Sequence, residues 1–240
     1  MRIIGAPVSN FSTHDRFVEN VEKVLDEGGG YVCFANAHML VEYTDSLFFA
    51  RVMESAAIVC PDGRPLSILQ RLLGVDSCQI RGEDATLLLC GKEGVKVGFI
   101  GSTQDVLANL KDRLQSINPT INVALAYSPP FRELSDEEIN AIAVDVNELG
   151  VDYLFVGLGC PKQEIFMYRL APKTQCVLFG VGAAFDFISG NKKTAPRLIS
   201  RLGFEWLYRL LSEPKRLFAR YFYTNSKFIY LVIRKHILRF

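Results

Sequence analysis

The chain has 240 residues, of which 49% are hydrophobic and 22% charged, and its formal net charge is only +1. Such a chain is long enough to bury one sizeable core, and its composition excludes an intrinsically disordered or collagen-like protein. No stretch reaches the roughly 20 apolar residues of a membrane-spanning helix. Because the N-terminus also lacks the apolar segment of a secretory signal, we expect a cytoplasmic protein.

Short apolar runs alternate with helix-length amphipathic segments. The runs predict six strands, at Tyr31–Ala35, Ala57–Cys60, Lys96–Ile100, Asn122–Ala126, Asp152–Val156 and Gln175–Phe179. Capping residues and apolar spacing predict helices at Thr13–Glu27, Thr103–Ile117 and Ser135–Leu149. This alternation predicts an α/β, Rossmann-like fold, a parallel sheet with helices on both faces, over residues 1–195. A basic helical C-terminal appendage is predicted at 196–240.

The residues that follow the strands are the first candidates for a site, because open α/β sheets bind ligands at the carboxyl ends of their strands. These positions hold residue types that allow a polar ligand to approach the backbone closely. The candidates are Asn36, Asp62, Arg64, Gly101, Gly159, Gly182 and Asp186. The two Gly-x-Gly pairs, at 157–159 and 180–182, lack the third glycine of a dinucleotide fingerprint and the Lys of a P-loop.

The segment Gly159-Cys160-Pro161-Lys162-Gln163-Glu164 is the strongest of these loops. A proline in a first helical turn, with free amides and a lysine beside it, predicts an anion seat at a helix N-terminus. A diphosphate fits such a seat, and the seat places Lys162 among the candidate ligand-binding residues.

Asp62 is the best candidate for chemistry, and two interpretations stay open. The sequence Pro61-Asp62-Gly63 is common in ordinary turns. At a strand end, however, the same carboxylate is in place to take a proton from an attacking hydroxyl. Arg81 and Glu83 carry a similar ambiguity, since acids in Arg81-Gly82-Glu83-Asp84 either cap the following helix or line the cleft.

Metal and cofactor sites are not indicated. The chain has no Asp-x-Asp motif that would clamp a metal on a diphosphate, and its six cysteines form no Cys-x-x-Cys pair. We therefore predict reduced cysteines, no zinc site, no metal and no cofactor.

Five motifs occur together and in order, and their combination resembles the WecG/TagA/CpsF family of bacterial glycosyltransferases. They are Pro-Asp-Gly-Arg at 61–64, Gly-Leu-Gly-Cys-Pro-Lys-Gln-Glu at 157–164, Gly-Val-Gly-Ala-Ala-Phe-Asp at 180–186, Ala-Pro-Arg at 195–197 and Gly-Phe-Glu-Trp-Leu-Tyr-Arg-Leu at 203–210. The resemblance covers residues 30–222, which is nearly the whole chain.

The resemblance implies an inverting, metal-independent transfer from a UDP-sugar to a polyprenyl-diphosphate-linked saccharide, on the cytoplasmic face of the membrane. It implies that Asp62 is the catalytic base, that Asn36 belongs to the active site and that Gln163 touches the donor. It also implies that arginines of the C-terminal region, matched here by Arg209, Arg216 and Arg220, reach the diphosphate and complete the site. Several donor sugars fit it: N-acetylmannosamine, its uronic acid, glucose and glucuronic acid.

Two positions depart from the family pattern. Phe34 stands where many relatives carry a threonine, which implies a different donor or acceptor if that hydroxyl contacts the sugar. Cys160 stands where alanine is usual, and we expect this small change to be tolerated.

The tail is strongly basic: residues 192–240 carry 12 Lys and Arg against two acids. On a helical wheel, Arg216, Arg220, Lys227 and Arg234 fall within about 40° of one another, beside a broad apolar arc. Such a helix predicts binding to an anionic membrane surface, and the alternative is a core-packing helix with a solvated charged edge. Binding of nucleic acid by the tail is disfavoured, because bulky aliphatic residues interrupt the series of Lys and Arg residues.

Two further alternatives stay open at this point. A non-catalytic nucleotide-sugar or lipid-binding module that recruits a partner enzyme would keep the glycine loops without needing a carboxylate in the cleft. The apolar side chains of the tail also fit burial in a homo-oligomer instead of lipid.

Overall fold

The computed structural model describes residues 1–193, 196, 199 and 205–237, and within the last range it leaves out the side chains of Glu205, Arg209, Arg216, Arg220, His236 and Ile237. The proposed domain boundary at 195/196 and the Ala-Pro-Arg motif therefore fall largely outside the described residues.

A six-stranded parallel sheet forms the centre of the molecule. A short antiparallel hairpin, which the sequence patterns did not predict, precedes it (β1, Arg2–Ile3; β2, Ala6–Pro7). The sheet strands are β3 (Gly30–Ala35), β4 (Ile58–Pro61), β5 (Lys96–Gly101), β6 (Asn122–Tyr127), β7 (Tyr153–Gly157) and β8 (Val177–Gly180). Their order is β4-β3-β8-β7-β5-β6, with every neighbouring pair parallel. The six predicted strands and the α/β fold class are confirmed.

Helices connect the strands and continue at the C-terminus. They are α1 (His14–Asp26), α2 (Ala37–Asp45), α3 (Leu47–Glu54), α4 (Arg64–Leu72), α5 (Gly82–Cys90), α6 (Gln104–Ile117), α7 (Asp136–Leu149), α8 (Lys162–Leu170), α9 (Ala184–Ile188), α10 (Glu205–Ser212) and α11 (Pro214–Val232), with a 3₁₀ turn at Ala171–Lys173 and a π-helical turn at Ile233–Ile237. The predicted caps are present, since Thr13 accepts the Arg16 N–H and Ser135 forms a capping box with Glu138.

Strands β3, β4, β7 and β8 alternate their side chains between two cores, as the two-residue period of a strand requires. In β3, Cys33 faces one core, to which α2, α3, α7 and α8 contribute, and Phe34 faces the other, to which α1, α5, α6 and α9 contribute. Helices therefore cover both faces of the sheet, as predicted.

Three phenylalanines on neighbouring strands stack across one face of the sheet. The ring centroids of Phe99 and Phe155 lie 5.5 Å apart, and those of Phe155 and Phe179 lie 5.1 Å apart. Phe185 of α9 packs edge-on against Phe99. Because these rings are fully buried or nearly so, they hold β5, β7 and β8 in register behind the loops that follow β7 and β8.

The C-terminal helix α11 packs directly on the α/β core. Leu217 and Phe228 are buried, the Tyr223 hydroxyl donates to Asp45 Oδ2 at 3.1 Å, and Lys227 forms an ion pair with Asp45. Lys235 donates to the carbonyl oxygen of Ile4 at 2.9 Å. Among the described residues, no helix is long and apolar enough to cross a membrane.

Gly101, at the end of β5, provides a test of the sheet packing. A β-carbon there would lie 2.6 Å from the carbonyl oxygen of Gly157, and its φ of +129° disfavours any other residue. We expect Gly101→Ala to lower the free energy of unfolding by about 3 kcal/mol, the sum of overpacking and backbone strain.

The matched control for this substitution is Gly94→Ala, where φ is +77° but no atom lies within 4 Å of the added carbon. Only the strain of the left-handed backbone applies there, so we expect Gly94→Ala to lower the free energy of unfolding by about 1 kcal/mol. Urea denaturation measures both values, and equal losses would contradict the close approach of β5 and β7.

Candidate active site

A cavity of about 960 Å³ opens at the carboxyl edge of the sheet. The segments after β3, β4, β7 and β8 line one side of it, and residues of α10 and α11 line the other. This is the position at which open α/β sheets bind ligands. The cavity brings together eight of the candidate residues: Asn36, Asp62, Arg64, Arg81, Glu83, Gly159, Gln163 and Gly182.

Asp62 sits at the cavity wall because its backbone is held from two sides. Its N–H and that of Gly63 both donate to the carbonyl oxygen of Ala35, at 2.9 and 3.3 Å. Its own carbonyl oxygen accepts a hydrogen bond from the Gln79 side chain. The half-buried Asp62 thus lies between β4 and Gly63, the N-cap of α4, and beside the end of β3. Its position is therefore fixed by the sheet as well as by a local turn.

Asn36 lies next to this turn and is the N-cap of α2. Its side-chain oxygen accepts the Met39 N–H at 3.2 Å, so it caps the helix. A β-carbon added at Gly63 would lie 3.5 Å from Asn36 Cβ, which shows how closely the segments after β3 and β4 approach each other. Phe34, two residues earlier, also contributes to the lining.

Arg81 and Glu83 line the cavity, and Asp84 holds the arginine in place. Arg81 donates from Nε and Nη2 to the two carboxylate oxygens of Asp84, at 2.7 and 2.6 Å. Its Nη1 lies 3.9 Å from Glu83 Oε2. Both placements that the sequence left open are present, because Arg81 and Glu83 line the cavity while Glu83 and Asp84 lie in the first turn of α5. The bidentate pair with Asp84 fixes the orientation of the guanidinium group.

Gln163 joins the two glycine loops, which we define as residues 157–159 and 180–182. Its Oε1 accepts the N–H groups of Gly159 and Gly182, each at 3.0 Å. Its Nε2 donates to the carbonyl oxygen of Gly180 and to Glu164 Oε1, each at 2.7 Å. A side-chain amide has two donors and two acceptor lone pairs, so Gln163 has used all of them within the protein.

This arrangement explains part of the glycine pattern. A β-carbon at Gly180 would lie 2.6 Å from Met167 Cε and 3.1 Å from Gln163 Nε2, so glycine is required for the side chain of Gln163 to reach the loop. Gly182 has a φ of +58°, in the left-handed region that favours glycine. The absence of a side chain at Gly180 therefore allows Gln163 and Met167 to pack against the loop, and the glycines also leave room in the cavity.

Glu164, beside Gln163, is completely buried. Burial raises the pKa of its carboxyl to about 7, against the opposing effect of the hydrogen bond from Gln163. Its second oxygen, Oε2, has no hydrogen-bond partner among the described residues. A buried carboxyl without full hydrogen bonding is costly to retain.

The remaining candidates do not line the cavity or cannot be placed. Gly101, Lys162 and Asp186 are described and lie outside the cavity lining. Lys162 is exposed, whereas Asp186 Oδ1 accepts a hydrogen bond from Asn191 Nδ2 at 2.7 Å. The side chains of Arg209, Arg216 and Arg220 fall outside the described residues.

The anion seat predicted at 159–164 has fewer free amides than the sequence suggested. The N–H of Gly159 donates to Gln163 Oε1, and the N–H of Gln163 donates to the carbonyl oxygen of Gly159, both at 3.0 Å. These two groups are therefore engaged within the loop itself. Gly159 and Gln163 nevertheless line the same cavity as Asp62.

A set of cavity residues on α11 was not selected from the sequence. Leu217, Tyr221, Thr224 and Phe228 line the cavity at spacings of four, three and four residues. Spacings of three and four residues place side chains on one face of a helix. The sequence therefore already indicated that these residues share a face, although it did not show that this face lines the cavity. The Trp206 and Tyr221 rings, which link α10 to α11, pack edge to face with centroids 6.3 Å apart.

No group of three or more His, Cys, Asp or Glu side chains with the geometry of a metal site occurs in the parts of the chain that the structure describes. The six cysteines are free thiols.

Comparison with known proteins identifies the class of protein. The model of the glycosyl transferase WecG/TagA/CpsF family matches residues 1–239, and the chain belongs to this family. It is therefore an enzyme, a glycosyltransferase. A curated relative from Bacillus spizizenii is 33% identical over 209 residues, which cover 83% of this chain and 79% of the relative. That relative is the N-acetylglucosaminyldiphosphoundecaprenol N-acetyl-beta-D-mannosaminyltransferase.

The raised pKa of Glu164 predicts a pH dependence of stability. The ordinary pKa of such a carboxyl is 4.5, and in the folded protein it is about 7. Its contribution to the free energy of unfolding is therefore fully present below pH 4.5 and is lost as the pH rises through about 7. Glu164→Gln cannot ionise and removes this dependence. We expect the melting temperature of the variant, relative to wild type, to increase between about pH 5 and pH 8.

Glu138→Gln is the control of opposite sign, because Arg132 and the Ser135 backbone N–H lower the pKa of Glu138 to about 2. Its melting temperature relative to wild type should instead fall, modestly, as the pH rises from acid to neutral, since the ion pair is exposed. Thermal denaturation followed by circular dichroism measures both trends. A Glu164→Gln difference that is constant with pH would rule out the raised pKa.

Proposed function

We propose that the protein transfers a sugar from a UDP-sugar to a saccharide carried on a polyprenyl diphosphate, with inversion at the anomeric carbon and without a metal ion. This transfer would be one step in the biosynthesis of a bacterial cell-surface polysaccharide such as an exopolysaccharide. The family and the name of the Bacillus relative, whose acceptor is an N-acetylglucosaminyl diphosphoundecaprenol, support this class of acceptor.

One observation carries the proposal: Asp62 and the loops of Gly159 and Gly182 line the same cavity at the strand ends. In the proposed reaction, a hydroxyl oxygen of the acceptor saccharide attacks the anomeric carbon of the donor. The bond from that carbon to the UDP oxygen breaks, and Asp62 takes the hydroxyl proton. A single displacement of this kind inverts the anomeric carbon, and UDP leaves with the electron pair.

The negative charge that develops on UDP needs compensation from the protein. Lys193 and Arg81 line the cavity, as does Lys192, which also forms an ion pair with Glu213 at 3.1 Å. We propose that Arg209, Arg216 and Arg220, from the helices that form the opposite wall, add to this charge compensation. Asn36 and Arg64, which flank Asp62, would orient the sugar or the acceptor.

Asp62→Asn tests the assignment of the base. Because general-base assistance is typically worth 10²–10⁴ in rate, we expect turnover to fall by about that factor while UDP binding changes little. The assay measures UDP release from a UDP-sugar panel with a short-chain prenyl-diphosphate saccharide, and calorimetry measures UDP affinity.

Asp76→Asn is the matched control, because Asp76 lies in an exposed segment outside the cavity lining. It should keep wild-type turnover. Wild-type turnover in Asp62→Asn would remove Asp62 from the mechanism. Absence of UDP release by the wild-type enzyme with every donor would overturn the proposed function and favour a non-catalytic module.

We further propose that α10, α11 and the π-helical turn after them, which belong to the C-terminal appendage, hold the enzyme on the anionic inner face of the cell membrane. These helices expose large apolar side chains, among them Leu211, Phe218, Phe222, Ile229 and Tyr230, each more than half exposed. Lys215 and Arg234 are exposed beside them. An amphipathic helix with basic residues next to an aromatic face suits an anionic lipid surface.

Lys227 is one of the four basic residues that the helical wheel placed on one side of the C-terminal helix, but it does not face away from the core. Lys227 pairs with Asp45 of α2, so this charge attaches the helix to the core instead of facing lipid. The apolar arc divides in the same way, because Leu217 and Phe228 are buried and Phe218 and Ile229 are exposed. The helix thus has one face for the core and another for the proposed membrane contact.

The double substitution Phe218→Ser and Phe222→Ser tests the membrane proposal. The two rings stack with centroids 6.3 Å apart, are 63% and 70% exposed, and do not line the cavity. We expect binding to phosphatidylglycerol-containing vesicles to weaken at least about tenfold, from the lost apolar burial. Turnover with a water-soluble acceptor should be unchanged.

The control is Leu72→Ser, which removes a 79% exposed apolar side chain from α4. Vesicle sedimentation compares the three proteins. Unchanged vesicle binding by the double variant would contradict the membrane proposal, and a change in its sedimentation coefficient without vesicles would favour a homo-oligomer at this surface.

A further inference from the structure

The second residue of α8, Gln163, contacts both glycine loops, and the third, Glu164, contacts Gln163 from the buried side. Glu164 is 0% exposed and does not line the cavity, so it has no place in the proposed chemistry itself. The chain nevertheless keeps a carboxyl in this apolar position, where burial raises its pKa and one oxygen has no hydrogen-bond partner among the described residues.

The contacts of Glu164 constrain the orientation of the Gln163 amide. Glu164 Oε1 and the carbonyl oxygen of Gly180 both accept from Gln163 Nε2 at 2.7 Å. With its nitrogen held there, the amide directs Oε1 to the N–H groups of Gly159 and Gly182. One fixed side-chain plane therefore sets the separation of two loops that belong to different strands.

The two loops begin side by side at the ends of the paired strands β7 and β8. In the main chain, the N–H of Val181 donates to the carbonyl oxygen of Val156 at 2.9 Å, which ties β8 to β7 just before the loops diverge. Beyond that point, Gln163 Oε1 is the atom that both loop amides share. A rotation of the amide would release both N–H groups at once.

We propose that Glu164 is a positioning residue for the transferase: by accepting a hydrogen bond from Gln163, it holds the loops of Gly159 and Gly182 in the geometry that receives the donor. The proposal rests on the proposed function only in taking this cavity as the donor site. It also assigns Gln163 the role of a brace between the loops, since a direct bond to the sugar would require it to give up a contact that it already makes.

Glu164→Met is the informative variant because methionine has a similar volume and accepts no strong hydrogen bond. We expect amide hydrogen exchange at Gly159 and Gly182 to become about tenfold faster, as expected for the loss of a hydrogen bond that orients their acceptor. The Kd for UDP and the KM for the donor should rise by a similar factor, and kcat should change less, because the loops hold the donor and Asp62 is untouched.

Glu164→Gln keeps an oxygen that can accept from Gln163 and should restore both loop exchange and donor KM to near wild type. Gln70→Met is the matched control for loss of a buried polar contact. Gln70 is also 0% exposed, donates to the Ser9 carbonyl oxygen at 2.9 Å and accepts from the Ser77 hydroxyl at 2.6 Å, but it lies outside the cavity. We expect it to lower the melting temperature without changing exchange at Gly159 and Gly182 or UDP affinity.

A double-mutant cycle with Gln163→Leu shows whether Glu164 acts through Gln163. If it does, adding Glu164→Met to Gln163→Leu produces no further rise in exchange or in donor KM. Gln163→Leu alone also tests the brace if Glu164→Met does not fold, because it should expose both glycine amides to exchange.

Unchanged exchange at both glycines in folded Glu164→Met would overturn the positioning role, as would faster exchange with unchanged UDP affinity. Full additivity in the cycle would show that Glu164 acts by another route. Failure of the wild-type protein to bind UDP would instead overturn the proposed function, and the exchange measurements would still decide whether Glu164 holds the loops.

Discussion

The parallel register of four neighbouring strands is the constraint on which the site depends. Because β4, β3, β8 and β7 run in the same direction, their carboxyl ends meet at one edge, and the segments that follow them are brought together. Hydrogen bonds between neighbouring segments then fix their positions. The carbonyl oxygen of Ala35 holds the turn of Asp62, and Gln163 holds the two glycine loops.

The two walls of the cavity differ in their construction. The strand-end wall rests on a close-packed sheet, with stacked phenylalanines directly behind it. The opposite wall comes from α10 and α11, and α11 is attached to the core through buried Leu217 and Phe228 and polar contacts to Asp45. The π-helical turn that follows α11 adds a contact from Lys235 to Ile4. Under the proposed function, a fixed strand-end wall and a second wall that also exposes apolar side chains suit an acceptor with a polar head and a lipid tail.

Much of the fold and part of the site were predictable from local signals. The strands follow from apolar runs, and the caps of α1 and α7 follow from Thr13 and Ser135. The β1–β2 hairpin was missed because two-residue strands leave no readable period. Gly101 was selected as a ligand contact, but its glycine is needed where β5 approaches Gly157, which only the packing of the strands reveals.

The sequence by itself determined the α/β fold class, the family and the position of Asp62 after a strand, because periodicity, caps and motifs are properties of neighbouring residues. It did not determine the partners of buried polar groups, since these come from distant parts of the chain. Only the tertiary structure showed that Gln163 uses all its hydrogen bonds within the protein, that Lys227 pairs with Asp45, and that Glu164 is buried with a raised pKa. Hydrogen bonding and desolvation depend on which groups the fold brings within about 3 Å of each other.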